Sequence, residues 1–257
     1  MPLFEKAFQR IGLKSSRQAD KPRSLRQGLR IYAIGDIHGC IGLLDGKLDR
    51  IYRDSVGFKG DVIEVFLGDY IDRGPDSRAV LERLASEPRQ GHQRICLKGN
   101  HEEAMLSRLD NPELMDSWVN FGAVETLMSF GLDPQLLQQP DQWGALAEQL
   151  KHRLCALDGV MPWLSDLHSC FEMDDYYFVH AGIRPGLALD KQTNQDRLWI
   201  RDDFLNHTKR HAKMIVHGHT PNEQVEICDN RINLDTGAYA TGQLSCLVLE
   251  GQALRLL

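Results

Sequence analysis

The chain has 257 residues, 42% hydrophobic and 26% charged, with 22 Gly and 10 Pro, a composition that excludes a disordered, collagen-like or repeat-dominated protein. A chain of this length buries about three quarters of its unfolded surface without cross-links. Its 30 Lys and Arg against 36 Asp and Glu give a net charge of −6, so no overall positive field exists to gather a nucleic-acid polymer by counterion release.

The charge is uneven. Residues 1–30 hold eight Lys and Arg against Glu5 and Asp20, which sets off residues 1–29 as a basic, mobile arm ahead of a domain over 30–257. Leu3, Phe4, Phe8, Ile11 and Leu13 could line one helical face in that arm and give weak association with an anionic membrane. No apolar run reaches about 18 residues and no signal peptide is legible, which predicts a cytoplasmic protein without a transmembrane segment. Six cysteines lie scattered without a CxxC pair, so reduced thiols are expected, with Cys96 and Cys246 as small core residues.

Short β-rich runs follow at 29–34, 62–67, 94–97, 176–179 and 214–216, each leading into a side chain able to bind metal. Between the first three lie helical stretches at 41–52, with Leu44, Leu48 and Ile51 on one face, and 76–85, with Val80, Leu81 and Leu84. Asp36 to Asp69 is 33 residues and Asp69 to Asn100 is 31, one βαβ unit each, which predicts parallel neighbouring strands with their ligands at one sheet edge. Ligands of open α/β sheets gather outside the carboxyl ends of strands. Residues 103–174 are read as an inserted helical lobe beside that edge, with Trp118, Phe121 and Trp143 as its core. Further β sequence at 224–227, 231–234 and 244–249 suggests a second sheet packed on the first, with helices outside.

Five short motifs carry the chemistry. Asp36 and His38 are separated by one residue, so on extended backbone both face the same side and can share a metal, although Asp36 could equally cap the following helix. Gly68-Asp69-Tyr70-Ile71-Asp72-Arg73-Gly74 puts two carboxylates, an arginine and two glycines in seven residues, more than a surface turn requires. Gly99-Asn100-His101-Glu102 sets an amide oxygen beside an imidazole at a strand-to-helix junction, and His180 and His219 stand at later strand ends.

In their order GDxHG, GDxxDRG, GNHE, HAG and GHT, these motifs resemble the calcineurin-like metallophosphoesterases, and within them the phosphoprotein phosphatase branch. The likeness runs from about Ile31 to Gly237. It implies an α/β fold of four-layer type, a central mixed β-sandwich flanked by helices, and a site for two divalent metal ions. Carried onto this chain, Asp36, His38 and Asp69 hold one ion, and Asp69, Asn100, His180 and His219 the other, with Asp69 bridging. A hydroxide bridging the pair attacks phosphorus in line. A donor set without thiolate suits Mn²⁺, with Fe or Zn²⁺ as alternatives. His101 is the general acid, oriented by Asp72; Arg73, Arg201 and Asn100 bind the phosphoryl group. Pro221 stands where the wider superfamily has a further histidine ligand. The implied activity is a phosphomonoesterase acting on phosphoserine or phosphothreonine of proteins, with hydrolysis of diadenosine tetraphosphate or related nucleotides as the alternative and a small phosphorylated molecule as a further possible substrate. His217 and Asp235 are left open as ligands, supporting groups or packing.

Overall fold

The computed structural model describes residues 22–257. Of the predicted arm, residues 1–21, with the apolar face at Leu3 to Leu13, lie outside the described residues. Residues 22–28 are held down: the Arg23 guanidinium donates to the main-chain oxygens of His211 and Ala212, Ser24 N–H to Asp175 and Arg26 N–H to Asp174. Leu25 is buried between the two sheets.

In chain order, β1 (Leu29–Ile34), α1 (Ile41–Ser55), β2 (Asp61–Phe66), α2 (Ser77–Ala85) and β3 (His92–Cys96) form two crossover units. The helical lobe follows as α3 (Asn100–Asp110), α4 (Met115–Trp118), α5 (Ala123–Ser129), α6 (Trp143–Cys155) and α7 (Val160–Ser165). Then come β4 (Cys170–Met173), β5 (Tyr176–Val179), α8 (Asn194–Trp199), α9 (Asp202–Leu205), β6 (Met214–His217), β7 (Glu226–Ile227), β8 (Arg231–Asn233), α10 (Ala238–Thr241), β9 (Cys246–Glu250) and β10 (Ala253–Leu256). The first sheet runs β10-β9-β1-β2-β3 and the second β4-β5-β6-β8-β7. Within them β1, β2 and β3 are parallel, and so are β5, β6 and β8.

Strand parity sorts the side chains into three cores. On β1, Leu29, Ile31 and Ala33 face the second sheet, while Tyr32 and Ile34 face α1 and α2. On β5, Tyr176 and Phe178 face inward, while Tyr177 and Val179 meet Ile200 and Phe204 beyond the second sheet. Three apolar layers between helix, sheet, sheet and helix are the four-layer sandwich, and each fully buried Leu, Ile, Val or Phe contributes about 1.5–3 kcal/mol. Strands covered on both faces read as nearly continuous apolar runs, which is why β1 and β2 were conspicuous.

Two boundaries differ from expectation. The lobe predicted over 103–174 ends before β4, an edge strand that pairs with β5 and turns Phe171 and Met173 toward the inter-sheet core. Of the β sequence after His219, β7 and β8 join the second sheet, but β9 returns to the first and pairs antiparallel with β1, Ile31 opposite Leu249. The unforeseen β10 then closes that edge. No helix among the described residues is long and apolar enough to cross a membrane.

One buried polar cluster belongs to the scaffold. Glu64 on β2 is fully buried and accepts from Arg94 Nε at 3.2 Å, with His92 Nδ1 at 2.9 Å. Glu64→Ala strands both partners in the interior and is expected to cost about 3–5 kcal/mol, read as a lower urea midpoint with an unchanged slope.

Candidate metal centre and active site

Every expected site residue except Arg201 sits just beyond a parallel strand, in the turn that follows it or, for Asn100 and His101, at the start of α3, so the two sheets aim their carboxyl ends at one place. The turns are unusual in backbone. Six non-glycine residues among those described have positive φ, and five are His38, Asp69, Asp72, Arg73 and His219. Such conformations are costly for residues with a Cβ and persist only where surroundings enforce them.

The enforcing contacts are specific. Ile37 and His38 N–H both donate to Asp69 O, at 3.0 and 2.9 Å. The buried Glu102 carboxylate accepts from Asp69 N at 3.0 Å, Tyr70 N at 2.7 Å and Gly99 N at 2.9 Å. Arg73 N–H donates to Gly122 O across from the helical lobe. Gly122 has φ +89°, and a Cβ there would lie 2.8 Å from Arg73 N.

Two donor sets converge. The metal-binding atoms of His38, Asp69 and His101 lie within 4.8 Å of one another, as do those of Asp69, His180 and His219. Asp69 faces both: Oδ1 is 3.3 Å from His180 Nε2, and Oδ2 is 3.6 Å from His38 Nε2. His101, expected as the acid, enters the first set. Asp36, expected there, stands beside it, with Oδ2 accepting from His219 N–H at 2.9 Å and Oδ1 buried without a partner. Gly218 makes room for it, since a Cβ there would come 1.9 Å from Asp36 Oδ1.

Hydrogen bonding fixes which lone pairs are offered. His38 Nδ1 lies 2.8 Å from Ile71 O and His180 Nδ1 2.9 Å from Leu67 O. A carbonyl only accepts, so both protons sit on Nδ1 and each Nε2 turns its lone pair toward the centre. His180 Nε2 is 2.9 Å from Asn100 Oδ1 and 3.2 Å from His219 Nδ1, which is itself 2.8 Å from that amide oxygen. Burial pushes His38 down to about 3 and lowers His180 and His219 as well, so all three imidazoles are neutral. Asp69 is lowered in pKa despite its burial, through attraction to any proton that His180, His101, His38 or His219 carries. Asp36 is driven upward by burial, Asp235 and Asp69. Packed neutral imidazoles, an amide oxygen and carboxylates, with Asp36 Oδ1 and Asp235 Oδ2 unpartnered, fit divalent cations and little else.

The remaining groups surround this centre. His101 Nδ1 is 2.8 Å from Asp72 Oδ2, and Nε2 is 3.1 Å from Arg73 Nη2. Burial opposes charge on His101, yet Asp69 and Asp72 raise its pKa above the ordinary value. Arg73 Nη1 reaches His38 Nε2 at 3.0 Å. Arg201 is exposed, bonded to Thr220 Oγ1 at 3.2 Å, and close enough to depress His180 and His219.

Sequence reasoning missed several supports. Trp118, expected as lobe core, is buried but donates Nε1–H to Asp72 Oδ2 at 3.0 Å, and Thr126 donates to Asp72 Oδ1 at 2.6 Å. Phe121 meets His101 edge-on at 5.4 Å, and the exposed Tyr239 ring lies 5.1 Å from the Arg73 guanidinium carbon. Asp235 is buried against Asp36 and raised in pKa by burial and Asp69. His217 points elsewhere, packing edge-on against Phe204 at 5.0 Å.

A family model described as calcineurin-like phosphoesterase matches residues 29–244. The chain belongs to that family. It is a phosphoric ester hydrolase of the metallophosphoesterase type, and the family is dimetal-dependent. The chain is similar to serine/threonine-protein phosphatase 1 of Salmonella typhimurium, 27% identical over 94% of this chain and 96% of the relative. It is also similar to the asymmetrical bis(5'-nucleosyl)-tetraphosphatase PrpE of Anoxybacillus flavithermus, 26% identical over 83% and 88%. Among solved structures, a cold-active protein tyrosine phosphatase mutant shares the fold with TM-score 0.53, at 17% identity over 90% of this chain and 80% of that one.

Two outcomes test the geometry. Gly122→Ala forces a Cβ against Arg73 in a left-handed backbone and should lower kcat/KM by about tenfold, measured on any accepted phosphate ester, with the fold retained by circular dichroism. Mn²⁺ added to chelator-stripped protein at about 100 times its Kd should stabilise it by about 2.7 kcal/mol, read by calorimetry as a rise in Tm that His180→Ala removes.

Proposed function

We propose that this metallophosphoesterase is a serine/threonine protein phosphatase, with Asp36, His38, Asp69, Asn100, His180 and His219 holding two divalent cations, Mn²⁺ foremost. The hard and borderline donors, without thiolate, support that metal. Such ions supply Lewis-acid polarisation of the phosphoryl oxygens and activation of water at neutral pH.

The chain's own residues do the rest. Arg73 and Arg201 clamp the phosphoryl oxygens with charge-assisted hydrogen bonds. Asn100, whose amide oxygen faces His180 and His219, keeps its N–H groups for the same oxygens. His101 is held by Asp72 in the tautomer whose Nε2 faces Arg73. Raised in pKa, it takes up a second proton at Nε2 as imidazolium and passes that proton to the departing serine or threonine oxygen, returning to the neutral Nδ1–H form, a step typically worth about 10²–10⁴ in rate. Phe121 covers the imidazole edge and limits water there.

The observation that carries the substrate class is the surface beside Arg201. A cavity of about 240 Å³ there is lined by Asp196, Asp202 and Asp203 together with Arg184. Asp196 is engaged by Arg184 and Thr193; Asp202 and Asp203 are exposed, Asp203 lying 3.7 Å from the half-exposed Arg184 guanidinium. Carboxylates at that rim repel the further charges of a polyphosphate chain and attract a lysine or arginine flanking a phosphorylated residue. Hydrolysis of bis(5'-nucleosyl) tetraphosphates is the second reading, supported by the similarity to PrpE.

The comparison of kcat/KM on an arginine-flanked phosphothreonine peptide and on diadenosine tetraphosphate decides between them. The peptide is expected to be preferred by about tenfold or more, and Asp202→Asn with Asp203→Asn should erase the advantage of the arginine-flanked peptide over a neutral one. Preference for the dinucleotide reverses the assignment.

A further inference from the structure

His101 and Arg201 reach the site from separate stretches of chain. His101 stands in the first turn of α3, at the root of the helical lobe, and Arg201 lies between α8 and α9, in the crossover from β5 to β6. Arg201 has little of its own to hold it. Its side chain is exposed with Thr220 Oγ1 at 3.2 Å, and its backbone, at φ −132° and ψ −99°, belongs to neither helix. A long, mobile side chain acquires precision only from a fixed base, and a small misplacement of a positioning group is costly in rate.

The two residues before Arg201 supply that base. Ile200 is buried with Tyr177, Val179 and Phe204. Trp199 turns to the lobe instead: its Nε1–H donates to Glu103 Oε2 at 2.7 Å, and its ring meets Phe121 edge-on at 5.8 Å. Phe121 is in turn edge-on to His101 at 5.4 Å. Trp199 is only half-buried, so water could have satisfied its N–H; a carboxylate from α3 does so at the short end of the hydrogen-bond range. Glu103 is two residues beyond His101 and Trp199 two residues before Arg201. The bond, spanning 96 residues of sequence, therefore ties the helix that carries the acid to the segment that carries the clamp.

We infer that Trp199, held by Glu103, is a positioning residue that sets the separation of Arg201 from His101, so that one guanidinium and one imidazole meet the same phosphoryl group. The inference rests on the reading of Arg201 as a phosphate clamp and holds for either substrate class.

The probe is inorganic phosphate, as an inhibitor of the Mn²⁺-loaded full chain turning over an accepted phosphate ester. Trp199→Phe keeps a ring against Phe121 and loses the N–H; it should raise the phosphate Ki and the KM about fivefold, with Tm, circular dichroism and bound Mn²⁺ retained. Glu103→Leu should match it, while Glu103→Gln, which keeps an oxygen to accept the N–H, should stay near the parent. In an Arg201→Ala background Trp199→Phe should change Ki by less than about twofold, because the group it positions is gone. An equal factor in both backgrounds, or a Trp199→Phe Ki within about twofold of the parent, overturns the inference. An Arg201→Ala Ki equal to the parent overturns the clamp reading itself, and the inference with it.

Discussion

The Glu102 carboxyl gathers four main-chain N–H groups, from Asp69, Tyr70, Ile71 and Gly99, in a fully buried position. Burial and Asp69 raise its pKa to about 7; hydrogen bonds of this kind contribute about 0.5–1.5 kcal/mol each, and together they tie the turn after β2 to the start of α3. Asp69 is thereby held in left-handed backbone with its two oxygens facing His38 and His180. Each of the five strained site residues costs about 1–3 kcal/mol, a sum comparable with the whole stability of a domain. The two packed sheets and the Glu102 anchor offset that cost, and loosening either would let the turns relax and the donor sets disperse.

The helical lobe is part of the same device. Trp118 and Thr126 each donate to Asp72, Ser77 Oγ accepts from its main-chain N–H, and Gly122 fits against Arg73. Asp72 and Arg73 belong to the turn after β2, so the lobe acts on a sheet edge rather than forming a separate unit. Orientation of His101 follows at one remove, through Asp72. The lobe can therefore shape which substrates approach and, through the same contacts, how well the groups beneath them are aligned.

Much of this was written in periodicity. Alternation along β1 and β5 assigns their side chains to separate cores, and recurrent strand-to-turn motifs locate the site at one edge. Strand partners were less legible: β9 carries an apolar run that could pair in either sheet, and only the tertiary arrangement brings it to β1. The supports of the site were hidden for a related reason. Trp118 reads as a core tryptophan because its ring is apolar, and nothing local reveals that its one N–H meets Asp72. Glu102 stood within a recognised motif, yet its role is to accept from main-chain groups, which carry no signature in the residues that supply them. How closely Asp36 and His101 each approach His38 and Asp69 depends on rotations about strand ends that spacing alone leaves free.

The pairing of β1 with β9 also bears on how the chain is made. Ile31 lies opposite Leu249 and Arg30 opposite Glu250, so a strand at the middle of its sheet waits for a partner more than 200 residues later in sequence. During synthesis β1 can bind β2 early, but its other edge stays open until residues 246–250 have left the ribosome. An apolar strand with a free edge is a template for aggregation. The fold's last strands thus act as a closing seam, and a nascent chain stopped short of it would expose the very surface around which the finished protein is built.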